Sequence, residues 1–268
     1  MEESKSLKAF KLQLINRIPC VPNTKESKNS LVEQSLVSVL FHYLHWASRL
    51  IPPRQRAVLF DVALTMEPLW VEHKNHIEEI INKAETGEDL NDYLSNEVLN
   101  QGYSPDSEIL RQNDRWLCKD QLLNTQGFHH LHLKPGKSNK GNLLLLVKVT
   151  RNKFYLVGVF THDVFVEGSA ESNDIRNLIN SWSKEHKDIF TTMSGHPIHI
   201  HQMASEYWNA IVQCDGRLQH RDFLEQLFFN HQEKLKSKFK LRWEMDWLDL
   251  GLYESKSKGL TIIRRGHI

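Results

Sequence analysis

Four histidines stand close together between Phe128 and Phe165: His129, His130 and His132 in the run FHHLHL, and His162 in FYLVGVFTHDVF. An imidazole titrates near neutrality, at about pH 6.5, so a set of them can exchange protons or bind a metal. Cleaving RNA without a metal needs a base for the 2′-hydroxyl, an acid for the leaving oxygen and a cation for the phosphorane charge. Paired histidines together with an Arg or Lys supply all three. Two other readings use the same residues: a polar sheet face whose imidazoles only hydrogen-bond their neighbours, and a histidine-coordinated metal site.

The elements that must position these groups are strands. FHHLHL, LLLLVKV and FYLVGVF are apolar runs separated by polar or glycine-containing connectors, the pattern of a three-stranded meander. Side chains alternate along a strand, so His130 and His132 share a face with Phe128, while His129 falls with Leu131 and Leu133. If the strands are neighbours, His162 at the end of the third approaches the His130–His132 pair.

A second histidine group lies in SGHPIHIHQ, where strand spacing puts His199 and His201 on one face and His196 precedes Pro197. His-x-His supplies two metal ligands and needs a third from elsewhere; a structural or loop role is the alternative. A third feature is KLKSKFKLRWEMDW. Lys234, Lys236, Lys238, Lys240 and Arg242 recur at every second residue, and Trp243, Met245 and Trp247 take the other parity as core. Cations spaced about 6.6 to 6.8 Å apart on a strand suit a phosphate backbone, and they equally suit an edge strand protected from aggregation. Arg264, Arg265 and His267 extend this basic group. Asp163, Glu171 and Asp174 read as residues that cap and charge a helix start.

Around these motifs the periodicity divides the chain. Residues 1–30 are a polar segment, and 31–126 a helical region. The latter holds an amphipathic helix from Leu31 to Leu50 ended by Pro52 and Pro53, and a second helical pattern from Arg54 to Gly87. Shorter helical pieces follow at 107–111 and 118–123. At Gly127 the period changes from near 3.6 to 2, so 127–268 is a mixed region with an antiparallel sheet, helices at 172–186 and 221–233, and a final strand at LTIIRR. The fold class is therefore α+β.

With 268 residues, of which 40% are hydrophobic, the chain can bury a sizeable core, and its net charge of +1 excludes no class of partner. Cys20, Cys118 and Cys214 form no CxxC pair, which argues against a disulfide framework or a thiolate zinc site. The first residues lack a signal-peptide core, and no apolar run approaches the roughly 20 residues of a membrane helix, so a cytoplasmic protein with no membrane association is expected. P-loop, Rossmann, GxSxG and HExxH motifs are missing, and no cofactor or metal is expected.

The segment from about Phe128 to Val166 resembles the core of small RelE-type and barnase-like ribonuclease toxins. The likeness lies in HLHLKPG, NLLLLVKV, the turn at Arg151 to Lys153 and FYLVGVFTHDVF. The fuller phrase LLNTQGFHHLHL is similar to a motif of uncharacterised prokaryotic phage- or defence-related proteins. The resemblance implies RNA cleavage on a concave sheet face. Its acid/base residues would be His130, His132 and His162, with Lys148 or Arg151 as phosphate ligands. Lys236, Lys238, Lys240 and Arg242 are the further nucleic-acid-binding residues, read from the basic ladder. The compact toxins have no counterpart of the helical N-terminal half, which would meet a protein partner, regulate the site or complete the core. The expected function is a toxin-like or phage-defence ribonuclease; the alternatives are a non-catalytic antitoxin, immunity or nucleic-acid-binding protein and, after it, a histidine-coordinated metal enzyme.

Overall fold

A computed structural model describes residues 4–105, 122–123, 127–136, 141–166, 168–185, 197–228 and 239–268. The chain is α+β, with helices concentrated in its N-terminal half and two sheets. The first sheet contains the expected meander: β2 (His129–His132), β3 (Leu143–Val149) and β4 (Lys153–Thr161) pair antiparallel in succession. β1 (Ala57–Leu59) adds to β4 in parallel, giving the order β1-β4-β3-β2 and a mixed sheet.

LLLLVKV is apolar without alternation because β3 is buried on both faces. Leu145, Val147 and Val149 join the main core, whereas Leu146 faces a second cluster with Phe128 and Val157. Helix Ala170–Glu185 covers that second face through Ile175 and Ile179. A bulge opposite Leu146 and Val147 inserts one extra residue, Val157, into β4 beside Gly158. A Cβ at Gly158 would stand 2.8 Å from the Phe160 ring, so the bulge is built around glycine.

The second sheet is two antiparallel hairpins, β5 (Leu241–Asp246), β6 (Asp249–Glu254) and β7 (Gly259–Arg264). Trp243, Met245, Leu250 and Leu252 turn into the main core. The alternation expected from Leu241 to Met245 and the terminal LTIIRR strand are both present. Trp247 is not on the core face of β5: it occupies the two-residue turn after Asp246 with φ 52°. That left-handed conformation favours glycine, and a bulky residue there costs about 1–2 kcal/mol.

Residues 1–30 are not a polar connector. α1 (Lys5–Arg17) is capped by Ser4, whose hydroxyl accepts from Leu7 N, and buries Leu7, Phe10, Leu14 and Ile15 against the core. α2 (Lys25–Glu33) follows, capped by Thr24, and α3 (Leu36–Ala47) restarts at Ser35. Each wholly buried Leu or Ile contributes on the order of 1.5–3 kcal/mol. The single helix expected from Leu31 is thus split at Gln34 and Ser35.

The helical pattern expected from Arg54 to Gly87 is also divided. β1 and a 3-10 turn at Val62–Met66 precede α4 (Pro68–Thr86), which ends on Gly87 in the left-handed region. α5 is Asn96–Asn100, α6 the covering helix Ala170–Glu185, α7 Pro197–Asp215 and α8 Arg221–Leu227. The helical pieces expected at 107–111 and, for the most part, 118–123 lie outside the described residues, as does the expected end of α8 beyond 228. One core cluster draws on α1, α3, α4, α7 and both sheets, so buried contacts run across residue 127. Among the described residues no helix is long and apolar enough to cross a membrane.

Candidate active site

His130 and His132 lie on one face of β2, as strand parity requires, and the meander brings His162 to them. The rings of His132 and His162 have centroids 5.4 Å apart, and those of His130 and His132 are 6.4 Å apart. Phe165 packs on both ends of the row, 5.5 Å from His130 and 6.2 Å from His162. His130 and His132 are buried, at 7% and 8% exposure, while His162 sits half-buried at the rim.

The position of His162 is set by the hairpin register. Leu143 pairs with Thr161, so Asn142 lies beside His162 one step beyond the last strand pair. His162 N–H donates to Asn142 O at 3.0 Å, and Nδ1 lies 3.0 Å from the same carbonyl and 3.1 Å from Asn142 Oδ1. Two acceptors at Nδ1 favour a proton there, which directs Nε2 as the atom free for chemistry. The 3-10 turn His162–Phe165 is anchored by Thr161, whose N–H and hydroxyl both donate to Glu171 Oε2 at 3.0 and 2.8 Å. Glu171 therefore ties α6 to the histidine turn.

The two expected phosphate ligands, Lys148 and Arg151, lie at different places in the sheet. Lys148 shares the face of His130, since Leu146 opposes His130, but its ammonium stands 5.4 Å over the Phe128 ring. It is only 4% exposed, and burial pushes its pKa down to about 8. Arg151 lies in the β3–β4 turn, at the opposite end of the hairpin from His162, roughly 23 Å along the strand from Leu144. Both its Nη groups bond Asp249, at 2.8 and 2.7 Å, so it holds the two sheets together rather than joining the histidines.

The other candidates are dispersed. Lys234, Lys236 and Lys238 lie outside the described residues, as does His196. Lys240 precedes β5 and Arg242 lies on it, with its guanidinium 4.3 Å over the Tyr253 ring. His199 and His201 are on α7, not on a strand: Pro197 opens that helix, and Ile200, Met203, Ala204, Tyr207 and Ile211 recur at helical spacing. Residues two apart on a helix diverge, and His201 instead stacks on Phe41 at 3.8 Å. His129 is enclosed in the core, where burial, and next the charge of Lys148, pulls its pKa down to about 3. Burial and then Lys148 likewise lower His267 to about 4. Among the described residues no three His, Cys, Asp or Glu side chains are grouped to hold a metal ion.

Asn142, Thr161 and Phe165 were not candidates from sequence. Counting the hairpin register outward from its turn is the one signal that finds Asn142. No family model, curated protein or solved structure matches this chain. The histidine row and its surroundings are therefore the ground for a functional reading.

Proposed function

We propose that this protein cleaves RNA by imidazole acid/base chemistry. His132 and His162 are the proton-exchanging pair, and His130 stands behind them. The observation that carries this reading is the approach of the two rings to 5.4 Å, with His162 Nδ1 held on Asn142 and His162 at an accessible rim. One imidazole takes the 2′-hydroxyl proton while the other gives a proton to the 5′ leaving oxygen. Lys148 is on the same sheet face, but its ammonium stands over Phe128, about 13 Å along β3 from the partner of His132, so it neighbours His130 rather than the reacting pair. A toxin-like or phage-defence role in the cytoplasm is what the resemblance of residues 128–166 implies for such an activity.

Purified protein incubated with total RNA in EDTA tests this directly, alongside His132→Ala and His162→Ala. Loss of EDTA-resistant cleavage by at least ~100-fold in folded variants is the expected result. Unchanged cleavage in both variants removes the assignment.

The burial of His130 and His132 favours a second reading, a binding protein without turnover. Its protein-partner form is supported by an apolar patch on the helical half, where Leu59, Phe60, Val62, Met66 and Val71 are exposed next to the edge strand β1. Binding without cleavage in the same assay is its signature.

A further inference from the structure

A cavity of about 610 Å³ opens where α3 meets the three-stranded sheet, away from the histidine row. Tyr43 and Trp46 from α3 form one wall, Arg242, Asp246 and Tyr253 another, and Trp247 stands in the turn. From these residues we infer a binding site for single-stranded RNA: the cavity receives a base by stacking, and exposed lysines at the end of the sheet hold phosphates. The inference rests on RNA being the ligand in the reading above, and it adds a site that reading does not use.

The aromatic content comes first. Bases stack on Trp and Tyr whatever their identity, and a mostly apolar hollow with a few polar groups is the usual form of such a site. Trp247 is held in its left-handed turn position with its backbone carbonyl accepting from Tyr43 OH at 2.9 Å. The indole is half-buried at the cavity edge, although a glycine would fit the backbone better.

Charge along the strand then gives the ligand a direction. Lys240 O accepts from Ser255 N at 3.1 Å, which brings the start of β5 beside the β6–β7 turn. Lys240, Lys256 and Lys258 are all exposed at that end, and Arg242, paired in register with Tyr253, follows them into the cavity. Glu244 next along β5 is neutralised by Arg17 at 2.8 Å and Arg242 at 3.1 Å. Asp246, exposed, stands at the far end beside Trp247. A ligand that is anionic throughout meets repulsion at Asp246. A short single strand does not: the phosphates of its leading nucleotides lie at the lysine end, and about 20 Å further along β5 a following base enters the aromatic end, where Asp246 can accept from ring or amino N–H groups. A stacked duplex cannot offer a base edgewise to the cavity, so the strand must be single.

The test uses the full-length protein and a fluorescein-labelled eight-nucleotide oligoadenylate, read by anisotropy and by quenching of tryptophan emission. Trp247→Gly, which relieves the backbone, is expected to weaken binding at least ~10-fold with an unchanged salt dependence. Lys240→Ala with Lys256→Ala is expected to flatten the slope of log affinity against log salt by about 1.4, or 0.7 for each lost phosphate contact. Both lysines are exposed, so this pair tests the site even if Trp247→Gly fails to fold. Binding within twofold of wild type in the folded variants, or no binding by the wild-type protein, overturns the inference. Unchanged binding in the folded variants together with intact RNA cleavage overturns it while leaving the histidine chemistry standing.

Discussion

Arg151 and Asp249 meet through two parallel hydrogen bonds of 2.8 and 2.7 Å, and through them the hairpin turn of the first sheet is fastened to the β5–β6 hairpin of the second. Asp249 is buried and also accepts from Gly266 N at 2.8 Å, with Arg54 at 3.6 Å. Burial alone raises a carboxyl pKa. The Arg151 and Gly266 hydrogen bonds and the charges of Arg151 and Arg54 outweigh it, so Asp249 is held below the usual carboxylate range. Its contribution is present above the unfolded pKa and is lost as pH falls through the folded one.

Asp249→Ala leaves the Arg151 guanidinium partly buried without its carboxylate and the Gly266 N–H without its acceptor. A loss of about 3 kcal/mol is expected in urea unfolding at pH 7. Asp249→Asn keeps an acceptor for Gly266 and should lose less. Equal stability of Asp249→Ala and wild type would show that the junction contributes little.

Acid should destabilise the protein before carboxylates titrate. Burial is the main cause lowering His42 to about 4 and His45, His129 and His267 to about 3, 3 and 4, whereas an unfolded histidine titrates near 6.5. Between those values the unfolded chain binds more protons. Stability is therefore full above pH 6.5 and falls as the pH drops towards 4, by at most about 1.4 kcal/mol per unit of separation per histidine. Thermal melts at pH 8, 6 and 4.5 read this, and a flat Tm from 8 to 4.5 would contradict it.

Asn142→Ala removes one of the two acceptors at His162 Nδ1 and leaves the backbone carbonyl. If His162 exchanges protons, kcat should fall about 3- to 10-fold with KM little changed, a smaller loss than in His162→Ala. A change in KM alone would place Asn142 in RNA binding instead.

Val62 and Met66 are 70% and 78% exposed. Replacing both by Lys should leave Tm within about a degree, because substitutions at such positions change stability by no more than ~0.5 kcal/mol. Solubility at high protein concentration should rise. A large fall in Tm would mean these side chains pack against something within the chain.

Much of this architecture is legible in residue order where period and burial agree. The meander, the shared face of His130 and His132, the arrival of His162, α3, α6 and β7 all follow from apolar spacing. α1 was hidden because seven charged or polar residues dilute Leu7, Phe10, Leu14 and Ile15, whose spacing is nonetheless helical. β1 was hidden for another reason: a three-residue strand has no period to detect, and only its distant partner β4 makes it a strand. His199 and His201 satisfied a period of two over so short a stretch that the longer period of α7 was missed. β6 is interrupted by Gly251, which leaves no room for a side chain beside Thr261 O. Arg151 looked available because nothing local in the sequence points to Asp249, 98 residues away.

The parallel pairing of β1 with β4 sets an order of events during folding. β2, β3 and β4 are joined by connectors of modest length and can zip together locally, as can the hairpins of β5 to β7. Residues 57–59 must wait for residues 153–155, so the edge strand closes only after some ninety residues have been brought into a loop. On a ribosome the N-terminal helices emerge long before that partner exists. Through that interval Leu59 and Phe60, next to an unpaired strand edge, are the stretch most in need of protection from other chains.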